Sequence, residues 1–204
     1  MYKLPYYIET DETVIHEFLI QNPFAIVSGI LNNKPVATHV PLDVEKVDGK
    51  YIFTGHVMKG TDHYKGFLQN ENVLVVFSGP HCYVSASWYE NKQKGSTWNY
   101  MDAQAHGKLK FTDDAGTWKI VEDITKKYEG LDSEASFSKI TKEYMERNIK
   151  AISGFHIEVE RLDVVFKLSQ NESHQTQKQI VENLKKINHN NSREIAMQME
   201  KRLS

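Results

Sequence analysis

Hydrophobic residues along the chain switch between a helical and an alternating period, and these switches predict the order of the elements. After Thr10, the segment DETVIHEFLIQN carries apolar residues at helical spacing and acidic residues in its first turn. Pro23 lies just beyond its end. This pattern predicts an amphipathic helix capped by Thr10 or Asp11.

A β-rich region follows this helix. The runs FAIVSGIL and PVATHVPLDVEKV flank a polar Asn-Asn-Lys, and Asp48-Gly49 leads into KYIFTGHV. Hairpin-length turns between β-rich runs predict a meander of three neighbouring strands.

The middle of the chain alternates between short helices and strands. Residues 61–70 predict a short helix capped by Thr61, and NVLVVFSG predicts a strand that ends at Gly79-Pro80. AHGKLKF alternates apolar and polar residues, as a half-buried strand does. Two further helices are predicted around residues 118–128 and 140–149.

The last third of the chain predicts one more strand and a helical tail. In GFHIEVERLDVVFKLS the apolar residues fall on odd-numbered positions up to Val159 and on even-numbered positions from Leu162 onward. This change predicts a bulge or a tight turn near residues 160–163. Beyond Ser169 the chain is polar, and its spaced apolar residues predict two helices separated by HNNS. We expect this tail to be an oligomerisation arm or a solvated tail, more than a helix-turn-helix.

Taken together, the elements predict a mainly β fold with helices, of the α+β class. Strands joined without crossover helices of about ten residues cannot be parallel neighbours, so a mostly antiparallel barrel or sheet is favoured over a doubly wound parallel fold. We expect a β domain over residues 1–171 and a C-terminal helical extension over 172–204.

Composition and charge narrow the class of protein. The net charge is −2, so the chain has no global positive field for nucleic acid or an anionic membrane. Cys82 is the only cysteine, which excludes an internal disulfide and favours a reducing cytoplasm. Neither a secretory signal nor an apolar run long enough to span a bilayer is found, so we expect no membrane association.

The familiar catalytic motifs are absent from the sequence. It has no dinucleotide-binding glycine motif, phosphate loop or nucleophile elbow, and its histidines do not fall at zinc-ligand spacing. We therefore assign no catalytic residue and no metal site. A buried structural role is favoured for Cys82 over an activated thiolate.

Three segments place an aromatic ring beside hydrogen-bonding groups: SASWY (85–89), STWNY (96–100) and FKLSQN (166–171). For any one segment, the simplest interpretation is that the aromatic residue packs in the core and that its polar neighbours form hydrogen bonds in a turn. Together they favour a flat, polar-edged ligand that is held by stacking and a few fixed donors.

The same segments resemble a known family, the PaiB-type FMN-binding negative transcriptional regulators, which are related to the pyridoxamine-phosphate oxidase split-barrel flavoproteins. The similarity covers most of the chain and includes NPFAIVSG, VATHVPL, FTGHVMKG, VFSGPHCYVSASWY, STWNY, AHGKL and ISGFHIEVERLDVVFKLSQN. It implies a split β-barrel homodimer with FMN in a cleft at the subunit interface.

The resemblance also implies which residues bind the cofactor. Lys59 and Thr61 are expected near the phosphate, with Lys59 as its cation. The residues expected to line or cover the rest of the flavin are Thr38, His39, Met58, Trp98, Asn99, Tyr100, Lys167, Ser169 and Gln170.

Some positions depart from the family pattern. Thr61 and Asp62 replace an asparagine and a proline, and Asp62 would repel a phosphate unless it caps the helix and points away. Ala86 and Ser96 stand where the family commonly has proline, which loosens two turns without removing a polar partner.

Three functions are compatible with this pattern. The resemblance favours an FMN-binding, dimeric negative regulator of transcription, with DNA contact only weakly supported by the tail, whose net charge is +2 from Glu172 to Ser204. A flavin-dependent oxidoreductase acting on a small acceptor is the alternative, and it leaves open whether the protein is an enzyme. A split barrel for haem or another planar ligand ranks last.

Overall fold

The structure is a computed structural model that describes residues 1–2 and 4–203. Its longer helices are α1 (Glu12–Gln21), α2 (Asp62–Gln69), α3 (Asp114–Glu129), α4 (Lys142–Ala151), α5 (His174–Lys186) and α6 (Asn190–Leu203). Its strands are β1 (Phe24–Leu31), β2 (Lys34–Pro41), β3 (Asp43–Val47), β4 (Lys50–Met58), β5 (Asn72–Val84), β6 (Thr97–Phe111) and β7 (Ile152–Lys167). Short 3-10 helices span Pro5–Tyr7, Ala86–Trp88 and Phe137–Lys139. The predicted α+β class is confirmed.

The seven strands form one sheet in the order β2-β1-β5-β6-β7-β4-β3. The pairings of β1 with β2 and β5, and of β4 with β3 and β7, are antiparallel. The predicted hairpins at Asn32-Asn33 and Asp48-Gly49 are present, and all four of these residues have the positive φ that such tight turns require.

The predicted three-strand meander is wrong. The run PVATHVPLDVEKV is two strands, and β2 and β3 lie at opposite ends of the sheet order. Between them the buried Leu42 donates its amide to the carbonyl of Pro23 at 2.8 Å. A Cβ on Gly55 of β4 would stand 3.1 Å from Val40 and 3.0 Å from Leu42, so the end of β2 packs on the inner face of β4.

Two compact units divide the chain. Unit 1 comprises Met1–Phe18, Ser78–Gln104 and Asp163–Ser204, and unit 2 comprises Leu19–Phe77 and Ala105–Leu162. The predicted boundary at residue 171 does not coincide with this division and stays a prediction.

Each unit has its own aromatic core. In unit 2 the rings of Phe53 and Phe77 meet edge to face at 5.0 Å, and Phe155 is also fully buried. In unit 1 the rings of Phe18 and Phe166 pack at 5.0 Å.

Strand β5 continues beyond its predicted end at Gly79-Pro80 as far as Val84. A Cβ on Gly79 would lie 2.5 Å from Cε2 of Phe18, so glycine lets the aromatic ring of α1 approach the strand. The dipeptide marks a close approach here and not a turn.

Two predictions about the end of the chain need correction. Strand β7 runs unbroken through residues 160–163, so of the two predicted alternatives the tight turn is absent, and the bulge stays a prediction. Both faces of the last residues of β7 are buried. The two predicted tail helices are present, but the tail is not solvated. Its apolar residues Ile180, Leu184, Ile195 and Met199 are buried, and Arg202 pairs with Glu9 at 2.9 Å.

Among the helices of the described residues, none combines the length and the apolar character that crossing a bilayer requires.

Candidate functional site

The junction of β4 and α2 in unit 2 holds three predicted site residues, Met58, Lys59 and Thr61. Thr61 Oγ1 accepts the amide of Tyr64 at 3.3 Å, so the predicted cap of α2 is confirmed. The same hydroxyl donates to the carbonyl of Met58 at 2.9 Å and lies 2.9 Å from His63 Nε2. This network fixes the first turn of α2, while the Met58 side chain is 60% exposed.

The Lys59 ammonium lies between two other helices of unit 2. Its Nζ donates to the carbonyl of Ile149 at 3.1 Å and stands 3.8 Å from the carboxylate of Asp114. The last carbonyls of a helix carry partial negative charge, so the end of α4 attracts this cation. Its side chain is still 33% exposed, which leaves the ammonium accessible to an anion.

Asp62, the departure that places a carboxylate beside the expected phosphate, is bound to its own helix. Its Oδ1 accepts the amide of His63 at 2.7 Å and lies 3.4 Å from that residue's Nδ1. Thr61 is the N-cap of α2, so this contact fixes the Asp62 carboxylate at the first turn without making it the cap, and Asp62 remains an exposed negative charge there.

Thr38 and His39 lie on β2, at the edge of the sheet order. Consecutive residues of a strand point to opposite faces, so only one of them can meet a given ligand face. His39 is exposed and its ring stacks on that of Phe24 at 5.5 Å with an interplanar angle of 23°. The two rings therefore cover one face of each other, and Thr38 is half-buried on the other side of the strand.

The start of β6 in unit 1 holds Trp98, Asn99 and Tyr100, which alternate between faces. Asn99 is fully buried and accepts the hydroxyl of Ser169 at 3.0 Å. Trp98, in contrast, is 54% exposed, and the rings of His81 and Tyr83 lie 6.0 and 6.3 Å from its ring. Tyr100 is half-buried, and burial is the main cause that raises the pKa of its phenol.

Lys167, Ser169 and Gln170 stabilise the end of β7 in unit 1. The Lys167 ammonium donates to Thr97 Oγ1 at 2.5 Å and to the Trp98 carbonyl at 2.7 Å, and burial lowers its pKa. Gln170 donates to the Phe166 carbonyl at 2.5 Å and accepts the Leu168 amide at 2.7 Å. Ser169 has a φ of 62° and is buried. These contacts give the three residues a structural role within the chain.

Cys82 is buried, as predicted, and burial raises the pKa of its thiol to about 11. At pH 8 only about one molecule in a thousand would carry the reactive thiolate. We expect the native protein to react with DTNB at pH 8 far more slowly than the same protein in guanidinium chloride, where one thiol per chain should react. Fast stoichiometric labelling of the native protein would contradict this prediction.

Sequence reasoning missed two sets of residues. Asp114 was not among the predicted site residues, although its carboxylate lies 3.8 Å from Lys59 Nζ. Tyr7, Tyr89, Lys94 and Glu172 surround Lys167 in a cavity of unit 1, and their wide separation along the chain gave no signal of it. No cluster of potential metal ligands is found within residues 1–2 and 4–203.

Comparison with known proteins connects these features to a family. Residues 1–161 match the family described as "Putative FMN-binding domain". The chain belongs to this FMN-binding family. The chain is also 34% identical over its full length to 98% of "Protease synthase and sporulation protein PAI 2" of Bacillus subtilis. The family recognised from the sequence and its cofactor, FMN, are thus confirmed.

Solved structures agree on the fold of this FMN-binding family member. The flavocytochrome Anf3 of Azotobacter vinelandii is 13% identical, with a TM-score of 0.63 over 81% of this chain and 72% of that one. The FAD and heme binding protein of Mycobacterium smegmatis is 13% identical, with a TM-score of 0.56 over 78% of this chain and 72% of that one. The predicted split-barrel architecture is therefore confirmed.

The residues of unit 2 fit the cofactor of the FMN-binding family in their chemistry. A phosphate needs hydrogen-bond donors and positive charge, and the Lys59 ammonium supplies both. The His63 and Tyr64 amides at the start of α2 are already bound by the Asp62 and Thr61 side chains. An isoalloxazine ring needs a flat apolar surface with polar groups at its rim, and Phe24, which is 65% exposed and stacks on His39, offers one aromatic ring of this kind. Two carboxylates are unfavourable for a phosphate at this place: Asp114, which lies 3.8 Å from Lys59 Nζ, and Asp62 in the first turn of α2.

Proposed function

We propose that this protein is an FMN-binding negative transcriptional regulator that acts as a homodimer. The observation that carries the proposal is the match of residues 1–161 to the FMN-binding family, together with full-length similarity to the PAI 2 protein, which its name associates with protease synthesis and sporulation. A role in controlling gene expression fits that association. The single cysteine, which allows no internal disulfide, supports a cytoplasmic location.

The proposed binding mode assigns different chemistry to different residues. Lys59 and Thr61 would hold the phosphate, and Thr38, His39 and Met58 would line the flavin and its ribityl chain. The exposed Trp98 and the half-buried Tyr100 of the partner subunit would cover the ring. FMN supplies redox chemistry when it is bound, and the side chains named here bind it, orient it and exclude water.

The exposed apolar side chains support a dimer. Met58 and Trp98 are large, mostly exposed and flanked by predicted ligand-binding residues. Large apolar side chains that remain in water next to a binding site are typical of a surface that a partner covers. A second copy of the chain is the partner that the resemblance implies.

One titration tests both FMN binding and dimer formation. Purified protein is stripped of its flavin and then titrated with FMN. We expect a saturable change in the flavin absorption spectrum with one FMN per chain, and a dimer mass by light scattering. Addition of NADH or NADPH should leave the bound flavin oxidised. Rapid bleaching of the flavin would instead support an oxidoreductase, and a monomer with bound FMN would contradict the shared site.

Selection of genomic DNA fragments tests the regulatory role. We expect the FMN-loaded protein to enrich a small set of fragments, with an affinity that falls steeply as salt rises, because contacts to phosphates release counterions. Equal retention of all fragments, or none, would contradict direct regulation at DNA while leaving FMN binding intact.

A further inference from the structure

A cavity of about 390 Å³ lies within unit 1. Of its lining residues, Lys167 and Ser169 are ones that the resemblance assigns to the flavin, whereas Lys59 and Thr61, to which the phosphate is assigned, do not line it. Its lining brings together residues far apart in sequence, namely Tyr7, Tyr89, Lys94, Thr97, Lys167 and Glu172. A cavity of this volume falls in the range that accommodates a small molecule.

The charged group at the base of this cavity is the Lys167 ammonium. Lys167 is 7% exposed, and its two neutral acceptors, Thr97 Oγ1 and the Trp98 carbonyl, use two of its three N–H donors. Within the described part of the chain no carboxylate forms an ion pair with it. Burying a charge without a counter-charge is costly, so a third, negatively charged partner would stabilise this arrangement.

The other charges of the cavity balance each other. Lys94 Nζ pairs with Glu172 at 2.6 Å, so this pair adds no net charge. One positive charge, that of Lys167, therefore remains. Its Nζ also lies 5.8 Å from the centre of the Tyr7 ring, whose face attracts a cation but cannot neutralise it.

Two phenols complete the polar lining. The Tyr7 hydroxyl donates to Asn171 Oδ1 at 2.8 Å, which fixes its ring beside Lys167. Tyr89 is buried and lines the same cavity. Burial raises the pKa of Tyr7 to about 12 and also raises that of Tyr89, so both remain neutral donors at physiological pH.

We propose that this cavity of unit 1 binds a small carboxylate, with Lys167 as its counter-charge. A single negative charge matches the one uncompensated positive charge. A phosphate dianion would exceed that charge, and the Glu172 carboxylate of the same lining would repel a second negative charge more strongly than a single one. The cavity is thus a second ligand site, for an effector, whose lining does not include Lys59 or Thr61, to which the FMN phosphate is assigned.

Backbone amide NMR of the FMN-loaded protein localises binding directly. We expect sodium acetate and sodium propionate, which each carry one negative charge, to shift the amide signals of Gly95, Thr97 and Ser169 in a saturable way, relative to sodium chloride at equal ionic strength. Inorganic phosphate should shift them at least about ten-fold more weakly. Shifts by phosphate alone, shifts elsewhere, or none at all would overturn the proposal.

Substitutions test the role of the ammonium. Lys167→Met should weaken acetate binding by about ten-fold or more, because a charge-assisted contact is lost. Lys185→Met, on the exposed surface of α5, removes the same charge outside the cavity and should leave acetate binding unchanged. If Lys167→Met does not fold, Tyr89→Phe replaces it, with an expected few-fold loss. Wild-type affinity in a folded Lys167→Met or Tyr89→Phe protein would overturn the assignment.

Discussion

Gly107→Ala is expected to destabilise the protein by about 3 kcal/mol, the largest effect on stability that we predict for a single methyl group. A Cβ on Gly107 of β6 would stand 2.4 Å from the carbonyl oxygen of Glu158 and 3.0 Å from a methyl of Ile157. Real Cβ atoms do not approach a backbone oxygen so closely, and a strand carbonyl cannot rotate away as a side chain does. Strands β6 and β7 must therefore separate locally.

Thermal and denaturant unfolding of the variant measure this cost. A loss of about 3 kcal/mol corresponds to a fall in Tm of roughly 6–12 °C for a chain of this size. Gly95→Ala is the matched control, because nothing lies within 4 Å of its added Cβ, and its stability should change by less than about 0.5 kcal/mol. Equal stabilities of the two variants would show that β6 and β7 are not so closely packed at Gly107.

Local features of the fold were predictable because their causes lie within a few residues. The start of α2 is one example, because the Thr61 hydroxyl accepts the Tyr64 amide at 3.3 Å. The first tail helix is another, because the Ser173 hydroxyl accepts the Thr176 amide at 3.1 Å at the start of α5. The turn at Asp48-Gly49 likewise follows from residues that tolerate positive φ.

Features that depend on distant residues were not predictable in the same way. The separation of β2 from β3 depends on the contacts of Val40 and Leu42 with the face of β4, which no local pattern encodes. Gly79-Pro80 has the composition of a turn, yet Phe18 of a distant helix determines that β5 continues there. Both errors arose from local propensity that tertiary packing overrides.

The candidate site also combines features that the sequence predicts with contacts to distant residues that it does not. The resemblance located Lys59 and Thr61 at one helix start, but not the carbonyl of Ile149 that binds the ammonium. Asn99 was expected to meet a ligand, whereas within the chain its amide oxygen accepts from Ser169 and its amide nitrogen donates to Met199. A motif identifies which residues matter, and only the packed structure shows what each one contacts.

Lys59→Met is expected to weaken FMN binding by about ten- to a hundred-fold. The change removes the cation assigned to the phosphate and retains most of the aliphatic length of the side chain. A hydrogen bond to a charged group contributes about 1.5–3 kcal/mol, which gives this range of affinity. Titration of flavin-free protein with FMN, followed by quenching of flavin fluorescence, measures the change.

Two further variants separate the phosphate contact from other effects of the substitution. Lys65→Met removes an exposed positive charge from α2, close to the site, and should change FMN affinity by less than two- to three-fold because an exposed charge is screened. Lys59→Arg keeps the charge and should recover much of the affinity. Since Lys59 also binds the end of α4, circular dichroism must show that Lys59→Met is folded. A folded Lys59→Met protein with wild-type affinity for FMN would show that the phosphate binds elsewhere. Equal losses of FMN affinity in Lys59→Met and Lys65→Met would show that Lys59 acts only by long-range electrostatic attraction.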